Sequence, residues 1–162
     1  MTQPCLYQFF ARYNAAMNAR LYAVCEGLDD AARKADRGAF FGSIHATLDH
    51  ILLGDDLWMW RFTGGERPPG AIGTQRIADF DALRAAREAM DQRILDWTAG
   101  LEPAWLQGSL TWTSADGQTR SQARWRLVSH MFNHQTHHRG QVTALLSQLG
   151  IDYGRTDMPW FD

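Results

Sequence analysis

Cysteine is scarce in this chain. Only Cys5 and Cys25 occur, and both lie in one continuous helical pattern, where twenty residues of helix would separate them by about 30 Å, against a disulfide limit of roughly 7 Å between Cα atoms. A disulfide is excluded, and so is a metal site shared by the two. Free thiols fit a reducing compartment. Long apolar runs are missing too: none approaches the roughly 18 to 20 residues of a membrane span. The first residues, Met-Thr-Gln-Pro-Cys-Leu, lack the charged-then-apolar pattern of an export signal. The expectation is a cytoplasmic protein with no membrane partner. Neither sign of charge dominates, with 16 Lys and Arg against 18 Asp and Glu and a net charge of -2. No basic face is available to neutralise a phosphate backbone, so nucleic acid is not an expected partner. Internal repeats and low-complexity tracts are also lacking.

What remains is an ordinary globular composition, 45% apolar and 21% charged, with an unusual weight of Trp and Phe that points to an aromatic core or interface. A chain of 162 residues suits a single domain, here 1–162, that buries roughly two thirds of its unfolded surface.

Apolar periodicity outlines four helices. The first runs from Leu6 to about Leu28 and is closed by Asp29-Asp30. After a break at Asp36–Gly38, a very apolar second helix covers Phe40–Phe62 and stops at Gly64-Gly65. A Gly- and Pro-rich loop leads to Asp79, the cap of a third helix that runs to Ala99 and is stopped by Gly100. Leu110–Ser114 and Gln118–Ser121, around Asp116-Gly117, form a hairpin-like insertion. Ser121 caps the fourth helix, which ends at Leu149 and Gly150. The tail from Ile151 to Asp162, with Pro159, Trp160 and Phe161, folds back on the helices. The fold class is therefore all-α, a four-helix bundle with a short hairpin before the last helix.

Four of the six histidines, His130, His134, His137 and His138, fall within nine residues of the fourth helix. Direction separates them. With about 100° per residue and His134 at zero, the apolar positions Leu127, Val128, Met131, Val142, Leu145, Leu146 and Leu149 centre near 70°. His138 lies at about 40°, inside the apolar stripe with His134, whereas His130 and His137 lie at about -40° and -60°, outside it. The i, i+4 pair stands about 5 to 6 Å apart at Cβ, close enough for two imidazoles to share one ion. Two buried imidazoles without a common partner would each leave polar atoms to satisfy, at roughly 1 to 3 kcal/mol apiece. A metal answers both; core hydrogen bonding, protonation switching or solvation are the alternatives.

A third ligand has to come from elsewhere, and the second helix offers His45 and His50. Its apolar residues spread round most of the circumference, so the wheel leaves the two level. Gly54, one turn beyond His50, leaves space beside it. The all-round apolarity suggests a helix buried on two sides, in the bundle and in a dimer interface. Asp49, Asp55 and Asp56 read as a solvated acidic face, and Arg61 as a surface ion-pair partner or a group that reaches an acidic substrate. No general acid or base stands out.

At Ser43-Ile-His-Ala-Thr-Leu-Asp-His50-Ile-Leu-Leu-Gly-Asp-Asp-Leu-Trp58, at His130-Met-Phe-Asn-His134-Gln-Thr-His-His138-Arg-Gly-Gln141, and in the closing Leu149-Gly-Ile-Asp-Tyr-Gly-Arg-Thr-Asp157-Met-Pro, the chain resembles the DinB-like proteins. Their order is specific, although His-x3-His alone is common. The resemblance implies a four-helix bundle of up-down-down-up type, usually a homodimer. It also implies three histidines on zinc, nickel or a similar divalent ion, here His50 with His134 and His138, and it alone chooses His50 over His45. His45 and His137 become neighbours, while Asn133, Gln135, Arg139 and Gln141 orient the site or serve structure and solvation. Tyr13, Asn14 and Arg20 also match the family and read otherwise as core packing with a surface pair.

Three imidazoles with open positions suit a catalytic rather than a structural ion. By resemblance the expected chemistry is a thiol-dependent transfer or isomerisation, with a low-molecular-weight thiol and a small-molecule substrate, or a hydrolysis. The alternative is a non-catalytic, stress-associated helical dimer that binds a metal or ligand, or one whose histidines only pack the core.

Overall fold

The structure is a computed structural model that describes residues 3–114 and 116–161. Met1, Thr2, Ala115 and Asp162, the last being the end of the tail discussed above, lie outside the described residues. Six α-helices and one hairpin follow in the order α1 (Gln3–Glu26), α2 (Asp30–Lys34), α3 (Ile44–Thr63), α4 (Phe80–Ala99), α5 (Pro103–Gln107), β1 (Ser109–Thr113), β2 (Thr119–Ala123) and α6 (Arg124–Gln148). A single 3-10 turn, Met158–Trp160, lies in the tail.

Local chemistry explains where these boundaries differ from expectation. Asp29 does not close the first helix with Asp30; its carboxylate accepts the Ala32 amide at 2.6 Å and so starts α2. The second long helix begins at Ile44, not Phe40. Gly42 sits at φ 78°, the left-handed region where glycine is favoured, and closes a turn through Arg37 N–H to Gly42 O and Gly42 N–H to Ala39 O, both 2.8 Å. Ser43 then caps α3 through the Ala46 amide at 3.1 Å. Ser121 is not the cap of α6. It belongs to β2, paired with Thr111, and α6 starts at Arg124, whose amide donates to Gly108 O at 2.9 Å. α5 is five residues long, too short to show a period, although Pro103 at its first position is a helix-start signal. Asp79 and Gly100 do bound α4, the hairpin pairs where expected, and Gly150 ends α6 in a Schellman arrangement, with Ile151 N–H on Leu146 O at 3.0 Å.

The four long helices interlock: α1 packs on α4 and α6, and α3 packs on α6 and α4. Leu21, Leu52, Leu83, Met90, Met131, Val142 and Leu146 are among the side chains buried where they meet. The tail returns to α1. Tyr13 Oη donates to Thr156 O, Arg20 to Arg155 O, and the Phe161 ring stands edge-on to Tyr13 at 5.6 Å. Among the described residues no helix is long and apolar enough to cross a membrane.

Burial of α3 on several sides is met inside one chain. One side faces α6, another α4, and a third clamps the segment that leads to α4: Asp49 accepts the amides of Arg76 at 2.7 Å and Ile77 at 3.3 Å, and Asp56 pairs with Arg76 at 2.9 Å. The acidic residues of this helix are therefore not a solvated face. Asp49 and Asp55 are buried because Asp49 accepts two backbone amides and Asp55 faces a buried guanidinium. Asp55 meets Arg87 at 2.5 Å, Arg87 meets Asp91 at 2.9 Å, and Asn18 donates to Asp91 at 2.9 Å. Burial raises the Asp55 pKa, to about 6, against the pull of Arg87, whereas the two carboxylates keep the Arg87 guanidinium above its ordinary value against burial. Both directions leave the pair ionised at neutral pH.

Candidate metal centre

Helical geometry decides between the histidines that the sequence left level. His45 and His50 are five residues apart on α3, about 140° round the helix. His45 is fully buried on the side that clamps the 64–79 segment, where its Nε2 lies 2.7 Å from Ile77 O. That nitrogen donates to a carbonyl and is not free for an ion. His50 instead faces α6.

There it meets the pair selected by the wheel. His50 Nε2 lies 3.1 Å from His134 Nε2, the His134 and His138 ring centroids are 4.4 Å apart, and those of His50 and His138 4.6 Å. One nitrogen from each of the three falls within 4.8 Å of the others, an arrangement that could hold a metal ion. His130 and His137 are exposed, as their wheel positions indicate.

The surroundings suit a ligand role for neutral imidazoles. Burial lowers the His50 pKa to about 4, with the His138 ring adding to it. His134 is lowered to about 3, again by burial first and then by the neighbouring histidines. His138 is also lowered by burial, partly offset by Gln141. Lone pairs are thus available at neutral pH. His138 Nδ1 lies 2.7 Å from Gln141 Oε1; an amide oxygen only accepts, so Nδ1 carries the proton and Nε2 the lone pair. Phe41 stacks on His50 with centroids 3.8 Å apart and reaches His138 at 5.4 Å, which fixes the His50 plane. That contact depends on the Gly42 turn, and only a helix start at Ile44 permits it.

Nδ1 of both His50 and His134 is buried without a hydrogen-bond partner, as is Nδ1 of the core residue His45, so the packing round the rings is the more telling feature. Gly54 forms a cradle: a Cβ there would lie 2.7 Å from His134 Cε1 and 3.1 Å from its Nδ1. The space that the sequence leaves beside His50 in fact holds the His134 ring. Gly54→Ala should therefore turn the ring and weaken zinc affinity by on the order of tenfold, while helix propensity adds up to about 1 kcal/mol of stability. Competition against a chromophoric chelator, with thermal melting of the metal-free protein, separates the two effects. Equal affinity in the variant would remove the cradle's role.

Acid gives a second test. Both folded values lie below the roughly 6.5 of an unfolded histidine, so the unfolded chain takes up protons first as pH falls. Metal-free protein should lose stability steadily from about pH 6.5 towards the folded values of about 4 for His50 and about 3 for His134. In His134→Ala the melting temperature should fall less between pH 7 and pH 4.5 than in the wild type. Parallel curves for the two proteins would contradict the burial argument.

Beneath the cluster, Gln135 and Arg139 are buried. Arg139 donates to Asn14 Oδ1, to Gln135 Oε1 at 3.3 Å and to Thr136 Oγ1 at 3.3 Å, and burial lowers its pKa. The wheel carries this signal: Gln135 and Arg139 fall at about 100° and 140°, within reach of the apolar stripe. Asn14 is their partner, which accounts for the α1 pattern. Asn133 is exposed. Arg61 forms no ion pair among the described residues; its guanidinium lies 4.6 Å over the Trp58 ring. No carboxylate stands among the described residues that touch the three histidines, so the structure, like the sequence, offers no protein acid or base there.

A model of the DinB family matches residues 1–162, the whole chain. No curated protein matches it.

Proposed function

The chain belongs to the DinB family, and from that membership and its three converging imidazoles we propose a divalent-metal protein in which His50, His134 and His138 hold zinc or nickel. The convergence of one nitrogen from each within 4.8 Å carries the reading. The Gly54 cradle supports it. In the same reading the chain is one domain, 1–162, a four-helix bundle of the family's topology, which the pairing of α1 with α4 and α6 and of α3 with α6 and α4 supports.

The proposed activity is a metal-dependent transfer or isomerisation that uses a low-molecular-weight thiol, with hydrolysis as its nearest variant. A divalent ion held by three neutral histidines acts as a Lewis acid and makes a thiol or water nucleophilic near neutral pH. The chain's own part is to present lone pairs: Gln141 holds the proton on His138 Nδ1, Phe41 fixes the His50 ring, and Gly54 admits His134. The family's usual homodimer in the cytoplasm completes the proposal, and sedimentation of the purified protein tests the dimer.

Protein purified without a metal-affinity step is expected to carry one divalent ion per chain by elemental analysis. Activity with a panel of thiols and electrophiles should disappear on chelation and return with the ion. Full metal content without turnover across the panel would leave the binding reading and discard the enzyme.

A further inference from the structure

Two recesses adjoin the histidine cluster. His50, Phe40, Phe41, Ala46 and the loop Ile72–Gln75 line one, with a volume of about 570 Å³. The other, of about 520 Å³, lies between α3, the hairpin and the first turns of α6, lined by Trp58, Trp112, Arg126 and His130, with Arg120 and Gln122 at its edge. His130 connects this second recess to the cluster: its ring is 5.2 Å from Trp58 and 5.9 Å from His134.

Its charge is one-sided. Among the described residues no Asp or Glu lines it. Arg120 is neutralised by Asp116 at 2.7 Å, but among the described residues Arg126 has only the Gln122 amide oxygen at 3.4 Å, and Arg61 has no hydrogen-bond or ion-pair partner. A half-buried guanidinium beside another cation normally finds a carboxylate. Here burial and the nearby Arg67 lower the Arg61 pKa, and Arg61 in turn adds to the burial that lowers that of His130. The walls are flat and apolar, Trp58 and Trp112 meeting edge to face at 5.8 Å.

We propose that this recess binds a small carboxylate with a flat apolar body, its anionic group taken by Arg126 and its body laid against Trp58 and Trp112, while the Arg61 guanidinium, 4.6 Å over the Trp58 ring, adds positive charge behind that wall. The aromatic pair supplies stacking area, Arg126 the charge-assisted hydrogen bond that its present surroundings leave unmade, and Arg61 a favourable field. A ligand seated there extends past His130 towards His134, so the recess is the substrate site of the histidine cluster. That role rests on the metal reading above; the binding itself does not.

The test uses metal-free protein, benzoate as the probe and benzamide as its uncharged counterpart, followed by the indole N–H signals of Trp58 and Trp112. Benzoate is expected to shift both signals saturably, and His134→Ala to bind it as the wild type does. Arg126→Gln should weaken binding on the order of tenfold and Arg61→Gln by less, and added salt should weaken it further. Arg126 is exposed, so its replacement leaves the fold intact. Benzamide binding as tightly as benzoate, or an unchanged affinity in Arg126→Gln, overturns the proposal. Benzoate binding in a protein found to hold no metal would uphold the recess and remove only the metal's part in it.

Discussion

Replacing His134 with alanine is expected to lower zinc or nickel affinity by a hundred- to a thousandfold while the protein stays folded. Four-ligand structural zinc sites bind with about 10 to 16 kcal/mol, or roughly 3 to 4 kcal/mol per ligand, and each 1.4 kcal/mol is tenfold. His134 is the residue best placed to show the whole effect. It adjoins both of the others, its Nε2 3.1 Å from His50 Nε2 and its ring 4.4 Å from that of His138. Its Nδ1 has no partner to lose. Two controls separate ligation from packing. His45→Ala should leave affinity unchanged and cost about 1 to 3 kcal/mol of stability, because Ile77 O loses its buried partner. His130→Ala should alter affinity little. Chelator competition gives the affinities and melting of the metal-free proteins the stabilities. An His134→Ala protein with wild-type affinity would falsify the assignment, whereas a loss that His45→Ala shares equally would trace it to folding.

Direction on a helix makes two of the three converging histidines legible in the sequence. The stripe on α6 separates His134 and His138 from His130 and His137, and in the fold His138 is buried and His134 half-buried while the other two are exposed. The same wheel fails on α3 for a physical reason. That helix is covered on nearly every side, partly by a loop whose backbone amides and carbonyl are held by polar side chains, so hydrophobicity carries no direction there. His45 and Asp49 are buried for the sake of Arg76 and Ile77, partners 27 to 32 residues away that no local periodicity reveals. Asp55 looks solvated in the sequence for the same reason, since its partner Arg87 lies on α4. Boundaries shift where a single glycine or a strand competes: Gly42 shortens α3, and the hairpin takes Ser121.

The buried polar chain from Asn18 through Asp91, Arg87 and Asp55 joins α1, α4 and α3, and Arg139 with Asn14 joins α6 to α1. Within this chain two carboxylates, Asp55 and Asp91, are matched in number by two guanidiniums, Arg87 and Arg139. Each pair also specifies which helices meet, because a slipped helix would bury a charge without its partner. The histidines stand one turn from this chain: Gln135 and Arg139 follow His134 and His138 directly in sequence and face the interior while the rings face the seam. Rigid placement of the rings then follows from the packing of α6 itself.

Arg87→Met is expected to destabilise the protein by about 3 to 5 kcal/mol, a large part of the roughly 5 to 15 kcal/mol typical of a domain. Methionine fills much of the space, so the loss comes from charge: Asp55 and Asp91 are left buried near each other without the cation that both face. Removing Arg87 takes away what lowers the Asp55 pKa, already raised by burial, and does the same for Asp91. Their folded values then lie further above the unfolded value of about 3.9, so the stability they contribute is present at low pH and lost as pH rises through the folded values. Part of the deficit should therefore return when the variant is unfolded at pH 5 instead of pH 7, opposite to the histidine effect in the wild type. Asp55→Asn in the Arg87→Met background should also restore stability at pH 7, since it removes one of the two unpaired charges. Denaturant unfolding of metal-free proteins at the two pH values measures each contribution. A deficit that is the same at both, with no rescue by the second substitution, would show that Arg87 serves by its volume and not by its charge.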